Sequence, residues 1–354
     1  MSRAGAAIAP WSIGGVSFVV TVCMTPVSLG RPVFEATGYG TLLWMLIAYA
    51  TSFVGTYLAL TLNEAPLSPW ADTARSWLKY LRVPFYLSAA AAMLHVWLDI
   101  LTRTELPGTP RLVIALVTSG LALYAVRLGI ETVGRVIGLI AVTSIVPLYL
   151  LIFGAFPNVS LQWLLPFPLG TGIIPWLWAT ILFAPRGYDI LPVFGPLAKG
   201  DVRRPVYWGM ALAGLYLVLS MVEPQVVFGL KAASQLTSPF LSVVETITSN
   251  FLPFQRIAFL SIILWQMVVF SIVTAYSIAG IASLGVRVHP LTPWTAVVPW
   301  IIAVVALADF VLPEDIFTAL KNAWSLYGVF LYLLVPALLL TLGRQRAARR
   351  AALA

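Results

Sequence analysis

The sequence is poor in the residues that most catalytic and metal-binding sites need. Its 354 residues include one cysteine, Cys23, two histidines, His95 and His289, and only 10% charged residues. A single cysteine excludes an internal disulfide and a cysteine-cluster metal site, and two histidines give no support to zinc chemistry. The chain also lacks a nucleophile, base and acid at catalytic spacing and a phosphate-binding glycine loop. We therefore predict that it is not an enzyme and that it binds no metal and no cofactor.

Long hydrophilic regions are missing too. The longest polar connection, residues 63–82, is too short to form a soluble domain, whereas 60% of the residues are hydrophobic and the mean hydropathy is +0.94. The apolar runs have the length of membrane spans and lack the alternating polarity of barrel strands. The sequence therefore predicts an all-α integral membrane protein with a single transmembrane domain, residues 1–354. Ten spans are expected at about residues 11–30, 39–62, 83–102, 109–128, 132–156, 172–195, 206–230, 257–286, 293–312 and 324–343.

The net charge of +8 is explained by membrane topology rather than by a nucleic-acid partner. If the N-terminus is cytoplasmic and the ten spans alternate, fourteen lysines and arginines fall on the cytoplasmic side and six on the other, with Arg186 inside a span. Cytoplasmic loops of membrane proteins carry such an excess. We therefore expect both termini in the cytoplasm, with a basic tail at residues 344–354 beside anionic membrane lipid. No A-x-A-like cleavage site follows the first apolar run, so no removable signal peptide is expected.

Two connections have the pattern of amphipathic helices. In residues 68–82, apolar side chains recur at helical spacing after a Ser-Pro pair, which predicts a short helix on the cytoplasmic surface. Residues 232–250 contain a second amphipathic segment. This second segment is either a cap over an outward-facing vestibule or an ordinary connecting helix.

Helix-breaking residues interrupt the first and the sixth of the ten predicted spans. Span 1 contains Cys-Met-Thr-Pro at residues 23–26, and span 6 contains Phe-Ala-Pro-Arg-Gly at residues 183–187. Proline removes a backbone donor and clashes with the preceding turn. Transporters built from two inverted repeats bind substrate where helices are discontinuous. We therefore predict a 5+5 inverted-repeat transporter fold with broken helices 1 and 6, repeat one at about residues 11–156 and repeat two at about residues 172–343. A small zwitterion suits such a site, although ordinary proline kinks are the alternative.

The candidate ligand-binding residues come from four spans. Arg186 and Asp189 are charges in or beside the break of span 6, where charges are costly and tend to be paired or to line a wet cavity. Arg186 either takes a ligand carboxylate, or neutralises Asp189 until a ligand arrives, or simply pairs with Asp189. Asp99 and His95 share a helix face, either as a proton carrier or as a local hydrogen bond near the interface. The candidate set is Met24, Thr25, Pro26, Val27, Asp99, Phe183, Ala184, Pro185, Arg186, Gly187, Gln266 and Ser271.

Span 8 is an apolar helix with four polar positions, Gln266, Ser271, Thr274 and Ser277. The hydroxyls of Ser271 and Thr274 are candidates to coordinate a sodium ion against unwound carbonyls of span 1. Packing between helices through small hydroxyl residues explains them as well. Span 5 contains no lysine, which excludes a lysine amine in place of that cation.

Three stretches of the chain resemble the B subunit of bacterial spore-germinant receptors, a branch of the amino acid/polyamine/organocation transporter superfamily. Residues 125–137, AVRLGIETVGRVI, resemble the family's connection between spans 4 and 5. Residues 156–166, FPNVSLQWLLP, resemble its element before span 6, and residues 236–265 resemble its outer-loop helix and the start of span 8. The length and the number of spans agree with the family as well.

This resemblance implies an inverted-repeat fold with a germinant site between spans 1, 3, 6, 8 and 10. It also implies a complex with a larger A subunit and a lipoprotein C subunit in the inner membrane of the spore. The chain departs from the family in span 1, where residues 23–26 replace a glycine-rich break, and in span 6, where Arg186 and Gly187 do not match the family's frequent acidic residue.

The predicted function is therefore that of a nutrient-sensing subunit of a spore-germinant receptor. It would bind a small germinant, expected to be an amino acid, near the membrane midplane and signal to partner subunits. Two alternatives remain open at this point. The first is an ion-coupled amino-acid symporter of the same superfamily, and the second is a purely structural subunit that positions its partners.

Overall fold

The structure is a computed structural model that describes nine parts of the chain. They are residues 8–23, 40–64, 69–104, 106–164, 186–236, 239–247, 257–288, 291–309 and 325–343. Within these residues the chain is almost entirely helical, and its β-structure amounts to one isolated bridge. Helices satisfy their own backbone N–H and C=O groups, which is what a chain this apolar needs in lipid.

Twelve helices organise the described residues. In chain order they are α1 (Pro10–Cys23), α2 (Thr41–Glu64), α3 (Pro69–Thr104), α4 (Arg111–Arg127), α5 (Ile130–Gly154), α6 (Leu191–Phe194), α7 (Arg203–Phe228), α8 (Leu230–Ala233), α9 (Pro239–Glu245), α10 (Ile257–Ser283), α11 (Trp294–Asp309) and α12 (Ser325–Gly343). Each predicted span except the sixth overlaps one of the longer of these helices. Six helices in the described ranges are long and apolar enough to cross a membrane, and shorter apolar helices occupy Pro10–Val22 and Trp294–Asp309.

Helix α5 has one exposed apolar face and one buried face. Leu139, Val142, Val146 and Leu150 recur every three or four residues and are 62–69% exposed. A long exposed apolar stripe is unfavourable in water, but lipid tails are as apolar as leucine side chains. The opposite face of α5 is buried, so this helix presents one side to lipid and the other to protein.

Helix α3 differs from the expectation of a short surface helix followed by a separate span. Residues 69–104 form one continuous helix that passes through Pro84. Contacts with span 10 stabilise the junction: the Tyr327 hydroxyl donates to the Leu81 carbonyl, and the Arg82 guanidinium lies 5.2 Å from the centroid of the Tyr332 ring. A helix of this length measures roughly 54 Å, more than the roughly 30 Å of a bilayer core, so part of α3 extends beyond the hydrocarbon.

Helix α1 packs against α5, α7 and α10, and α10 also packs against α3. Small residues allow the close approach: a Cβ at Gly14 would lie 2.4 Å from the carbonyl oxygen of Pro205 on α7. Before α1, Ile8 forms a parallel bridge with Ala198, and its N–H donates to the Leu197 carbonyl at 3.1 Å. Backbone hydrogen bonds therefore connect the segment before span 1 to the segment that follows span 6.

Candidate functional site

The described part of span 6 begins with a non-helical segment, which we call the break. Residues 186–190 are buried and not helical, and the chain becomes helical again in the short α6 and the turn at Gly195–Leu197. The interruption predicted at residues 183–187 therefore overlaps a non-helical segment at Arg186 and Gly187. The other predicted positions of these two breaks, Met24, Thr25, Pro26, Val27, Phe183, Ala184 and Pro185, lie outside the described residues.

Gly187 brings this break against α1. A Cβ at Gly187 would lie 1.9 Å from Thr21 Oγ1 and 2.5 Å from the carbonyl oxygen of Ser17. The Thr21 hydroxyl itself donates to that carbonyl at 2.7 Å. No side chain larger than that of glycine fits without moving α1, so the break lies in direct contact with the last turns of the first helix.

Asp189 is a fully buried carboxylate that two tyrosines contact from two different helices. The Tyr276 hydroxyl on α10 donates to Asp189 Oδ2 at 2.7 Å, and the Tyr86 hydroxyl on α3 donates to the backbone carbonyl of Asp189 at 2.8 Å. Hydrogen bonds to charged groups are the stronger kind. The tyrosines therefore hold both the side chain and the backbone of Asp189 in place.

Arg186 is buried on the other side of the break and contacts span 10. Its Nη2 donates to the carbonyl oxygen of Ser325 at 2.6 Å, and its guanidinium lies 5.9 Å from the centroid of the Phe85 ring. A Cβ at Gly328 would lie 2.3 Å from Arg186 Nη1. Gly328 thus leaves the room that the guanidinium occupies beside α12.

Tyr332 completes the surroundings of the break. Its ring centroid lies 6.5 Å from that of Tyr86 and 6.3 Å from that of Tyr188, and it belongs to a π-helical turn, Phe330–Leu334, within α12. Such π-bulges occur frequently at functional sites. We call Tyr86, Arg186, Asp189, Tyr276 and Tyr332 the break cluster. Helices of spans 1, 3, 8 and 10 all contact the break of span 6.

The two span 8 candidates, Gln266 and Ser271, precede Tyr276 on α10. Ser271 is buried and its hydroxyl donates to the Met267 carbonyl at 2.8 Å. Gln266 accepts a hydrogen bond from the indole of Trp97. Ten residues of helix separate Gln266 from Tyr276, roughly 15 Å. Gln266 therefore does not join the break cluster, and its role in binding stays a prediction.

Asp99 does not join the break cluster either. It lies thirteen residues from Tyr86 along α3, roughly 20 Å, and forms ion pairs with Arg103 at 3.1 Å and Arg111 at 3.5 Å. Arg111 also pairs with Asp309 at 3.6 Å. His95, which shares a helix face with Asp99, has its Nδ1 2.8 Å from the Ala308 carbonyl and 2.9 Å from Arg111 Nη2. We call His95, Asp99, Arg103, Arg111 and Asp309 the ionic cluster.

Sequence reasoning missed the tyrosines of the break cluster and one further carboxylate, Glu223. Tyr86 and Tyr276 gave no signal, because tyrosine is common in membrane helices and their partners are far away in the chain. Glu223 did give a signal, since an ionisable residue inside an apolar run is a functional candidate by default. It lies in the seventh apolar run and is 2% exposed.

The fold is similar to that of solved membrane transporters. A Na⁺-coupled sialic acid symporter in a substrate-bound, outward-open state aligns with 93% of this chain and 79% of its own, with a TM-score of 0.59 and 14% identity. Mhp1, a nucleobase-cation-symport-1 family transporter in a closed conformation with bromovinylhydantoin bound, aligns over 93% of this chain and 78% of its own, with a TM-score of 0.47 and 14% identity. The alignment with the sialic acid symporter shows that the chain has the transporter fold that its sequence predicts, and the prediction of an all-α membrane protein is confirmed.

The family is decided by the sequence itself. Residues 76–315 match the family described as spore germination protein. The chain belongs to this family. A comparison with curated proteins gives no match. The spore germination protein match confirms the predicted resemblance and includes every described residue of the break cluster except Tyr332. The protein is thus a permease-like membrane protein of spore germination.

Proposed function

We propose that this spore germination protein is the nutrient-sensing membrane subunit of a germinant receptor. In this proposal a small germinant, expected to be an amino acid, binds at the break cluster near the membrane midplane. Binding shifts the equilibrium between two helix arrangements, because the ligand interacts more favourably with one of them. The A and C subunits of the receptor receive the signal in the inner membrane of the spore, and both termini of this chain lie in the cytoplasm.

The observation that carries this proposal is the meeting of five spans at residues 186–189. Gly187 contacts span 1, Asp189 is bonded by tyrosines of spans 3 and 8, and Arg186 is bonded to span 10. A ligand that changed the contacts of this short segment would change its relation to four other spans. Such a position suits a sensor whose output is a rearrangement of helices.

The chemistry of the break cluster suits a zwitterion. Arg186 and Asp189 carry opposite charges three residues apart on backbone that is not helical. A guanidinium matches the carboxylate of an amino acid, and a carboxylate matches its ammonium group. Arg186 Nη2 bonds the Ser325 carbonyl in this structure, so a ligand carboxylate would compete with span 10 for the guanidinium. That competition links binding to a movement of α12.

The alternative function, an ion-coupled amino-acid symporter, is favoured by a separate observation. In the described part of the chain, three buried hydroxyls have no hydrogen-bond partner: Thr274 Oγ1 and Ser277 Oγ on α10, and Ser17 Oγ on α1. Helix α1 packs against α10. Unsatisfied buried oxygens are potential ligands of a hard cation. The similar sialic acid symporter is described as Na⁺-coupled, which makes sodium the first ion to test.

Ligand titration of the purified full chain tests the proposal. A ligand that binds the native state raises the thermal unfolding temperature with its concentration, so the chain in lipid nanodiscs is titrated with each common L-amino acid. We expect at least one of them to stabilise the wild type. Arg186→Gln should bind it about 10- to 100-fold more weakly, because a charge-assisted hydrogen bond contributes about 1.5–3 kcal/mol.

Arg103→Gln is the matched control, because Arg103 is an exposed arginine of the ionic cluster, and it should bind like the wild type. Each variant's shift is measured from its own unfolding temperature, and Arg186→Lys provides a second variant that keeps the positive charge. If no amino acid changes the unfolding temperature of the wild type, the sensing function is contradicted. The purely structural subunit is then the remaining alternative. Uptake of labelled amino acid into vesicles that contain this chain alone would favour the symporter.

A further inference from the structure

Helix α7 contains a buried carboxylate that the break cluster does not use. Glu223 is 2% exposed, and neither of its carboxylate oxygens has a hydrogen-bond partner among the residues that the structure describes. This differs from Asp189, whose Oδ2 accepts a hydrogen bond from Tyr276. A lone ionised carboxylate inside a membrane is strongly unfavourable, so such a group either finds a cation or takes up a proton.

Protein cations do not neutralise Glu223 among the described residues. Helix α7 packs against α1, α2, α5, α8, α9 and the turn Leu161–Leu164. The titratable and charged residues on α7 and these elements are Cys23, Tyr49, Tyr57, Glu64, Glu131, Arg135, Tyr149, Arg203, Arg204, Tyr207, Tyr216, Lys231 and Glu245.

The four cations among these residues are Arg135, Arg203, Arg204 and Lys231. Arg203 pairs with Glu64, and Arg135 pairs with Glu131. Arg203 and Arg204 begin α7, twenty and nineteen residues from Glu223, which is roughly 30 Å along the helix. Lys231 is exposed on α8 and forms no ion pair with Glu223. A proton is therefore the cation that best fits this carboxylate.

The local sequence offers an acceptor to a protonated carboxyl. Pro224 follows Glu223 inside α7, and proline lacks the N–H that would bond the carbonyl of Ser220 in an uninterrupted helix. Residues three apart lie on the same side of a helix, so that carbonyl is within reach of the Glu223 side chain. A carboxylic acid is a hydrogen-bond donor, whereas a carboxylate is an acceptor only.

The end of α7 beyond Glu223 is covered by the segment that leads into span 6. The Ser160 N–H donates to the Val226 carbonyl at 2.8 Å, and Gln225 Nε2 donates to the Trp163 carbonyl at 3.3 Å. A Cβ at Gly229 would lie 3.2 Å from the Trp163 ring. Opening these contacts would expose this end of α7 to water.

We infer that Glu223 is a proton-binding site closed by the Ser160–Trp163 contacts. In the described state its carboxyl holds a proton on one oxygen; when the contacts open, the proton passes to water and leaves a carboxylate. No other bond forms or breaks. The inference does not depend on the germinant, because Glu223 is separate from the break cluster and its protonation is measurable without any ligand.

Infrared difference spectroscopy of the full chain in lipid nanodiscs at neutral pH tests the inference. A protonated carboxyl absorbs as a carbonyl, and an ionised one gives carboxylate bands. We expect the wild type minus Glu223→Gln spectrum to show a carbonyl band of a carboxylic acid. Both proteins keep Asp189, so its contribution cancels. In heavy water the band should shift as deuterium replaces the proton, and it should shift faster in Trp163→Ala.

Glu245→Gln is the matched control, because Glu245 is an exposed glutamate of the neighbouring α9, and its difference spectrum should show carboxylate bands instead. If the wild type minus Glu223→Gln spectrum shows carboxylate bands instead, Glu223 is ionised in the wild type and the inference is overturned. An equal rate of deuterium exchange in the wild type and Trp163→Ala would overturn the closure by Trp163. If Glu223→Gln does not fold, Glu223→Asp takes its place in the comparison. It keeps a carboxyl group, whose band should be displaced from that of Glu223 in the wild type.

Discussion

The charged side chains of the break cluster and of the ionic cluster differ in their burial and in their hydrogen-bonding partners. In the break cluster, Arg186 and Asp189 are buried and are bonded by a backbone carbonyl and a tyrosine hydroxyl. In the ionic cluster, Arg103 and Arg111 form ion pairs with Asp99, and all three side chains are partly exposed. Carbonyls and hydroxyls are partners that a ligand can replace, whereas paired charges already satisfy one another. The difference favours the break cluster as the binding site.

Of the substitutions that test this difference, Arg186→Ala should lower the free energy of unfolding most. It removes one of two opposite charges in the buried cluster and leaves Asp189 behind, which costs roughly 3–5 kcal/mol in the free energy of unfolding. Denaturant unfolding of the purified chain in detergent micelles measures the loss. Arg135→Ala, at an arginine 63% exposed, is the control, and a loss no larger than that of the control would erase the contrast.

Replacing Tyr276 by phenylalanine should have an intermediate effect. The ring remains, and the hydrogen bond to the buried Asp189 carboxylate is lost, so the free energy of unfolding should fall by about 1.5–3 kcal/mol. The same unfolding measurement applies, with Tyr57→Phe as the control because Tyr57 is 50% exposed. If both variants unfold alike, the hydroxyl of Tyr276 does not stabilise Asp189.

Replacing Arg103 by glutamine should have the smallest effect. Its side chain is 63% exposed and Asp99 keeps its pair with Arg111, so the loss should stay below about 1 kcal/mol. Added salt should shrink it further, because salt screens exposed charges. Unfolding at low and high salt measures both effects. A loss greater than that of Tyr276→Phe would reverse the order of the two clusters.

Local chemistry explains which parts of the site could be predicted. Arg186 and Gly187 were accessible to sequence reasoning because a charge and a helix breaker inside an apolar run are unusual by themselves. Asp99 and Gln266 were unusual for the same reason, yet they lie roughly 20 Å and 15 Å along their helices from the cluster. Polarity within a span indicates that a residue has a partner, but it does not indicate at which depth or on which neighbouring helix.

The amino-acid sequence by itself determined that the chain lies in lipid, that it is helical, and where most of its helices approximately begin and end. These depend on hydropathy and on backbone hydrogen bonds, which act within one segment. Only the tertiary structure decided that α3 continues through Pro84, that Tyr86 and Tyr276 meet at Asp189, and that Glu223 has no hydrogen-bond partner within the described ranges. Each of these depends on side chains separated by many residues in the chain, and helix periodicity contains no information about which distant face a helix will meet.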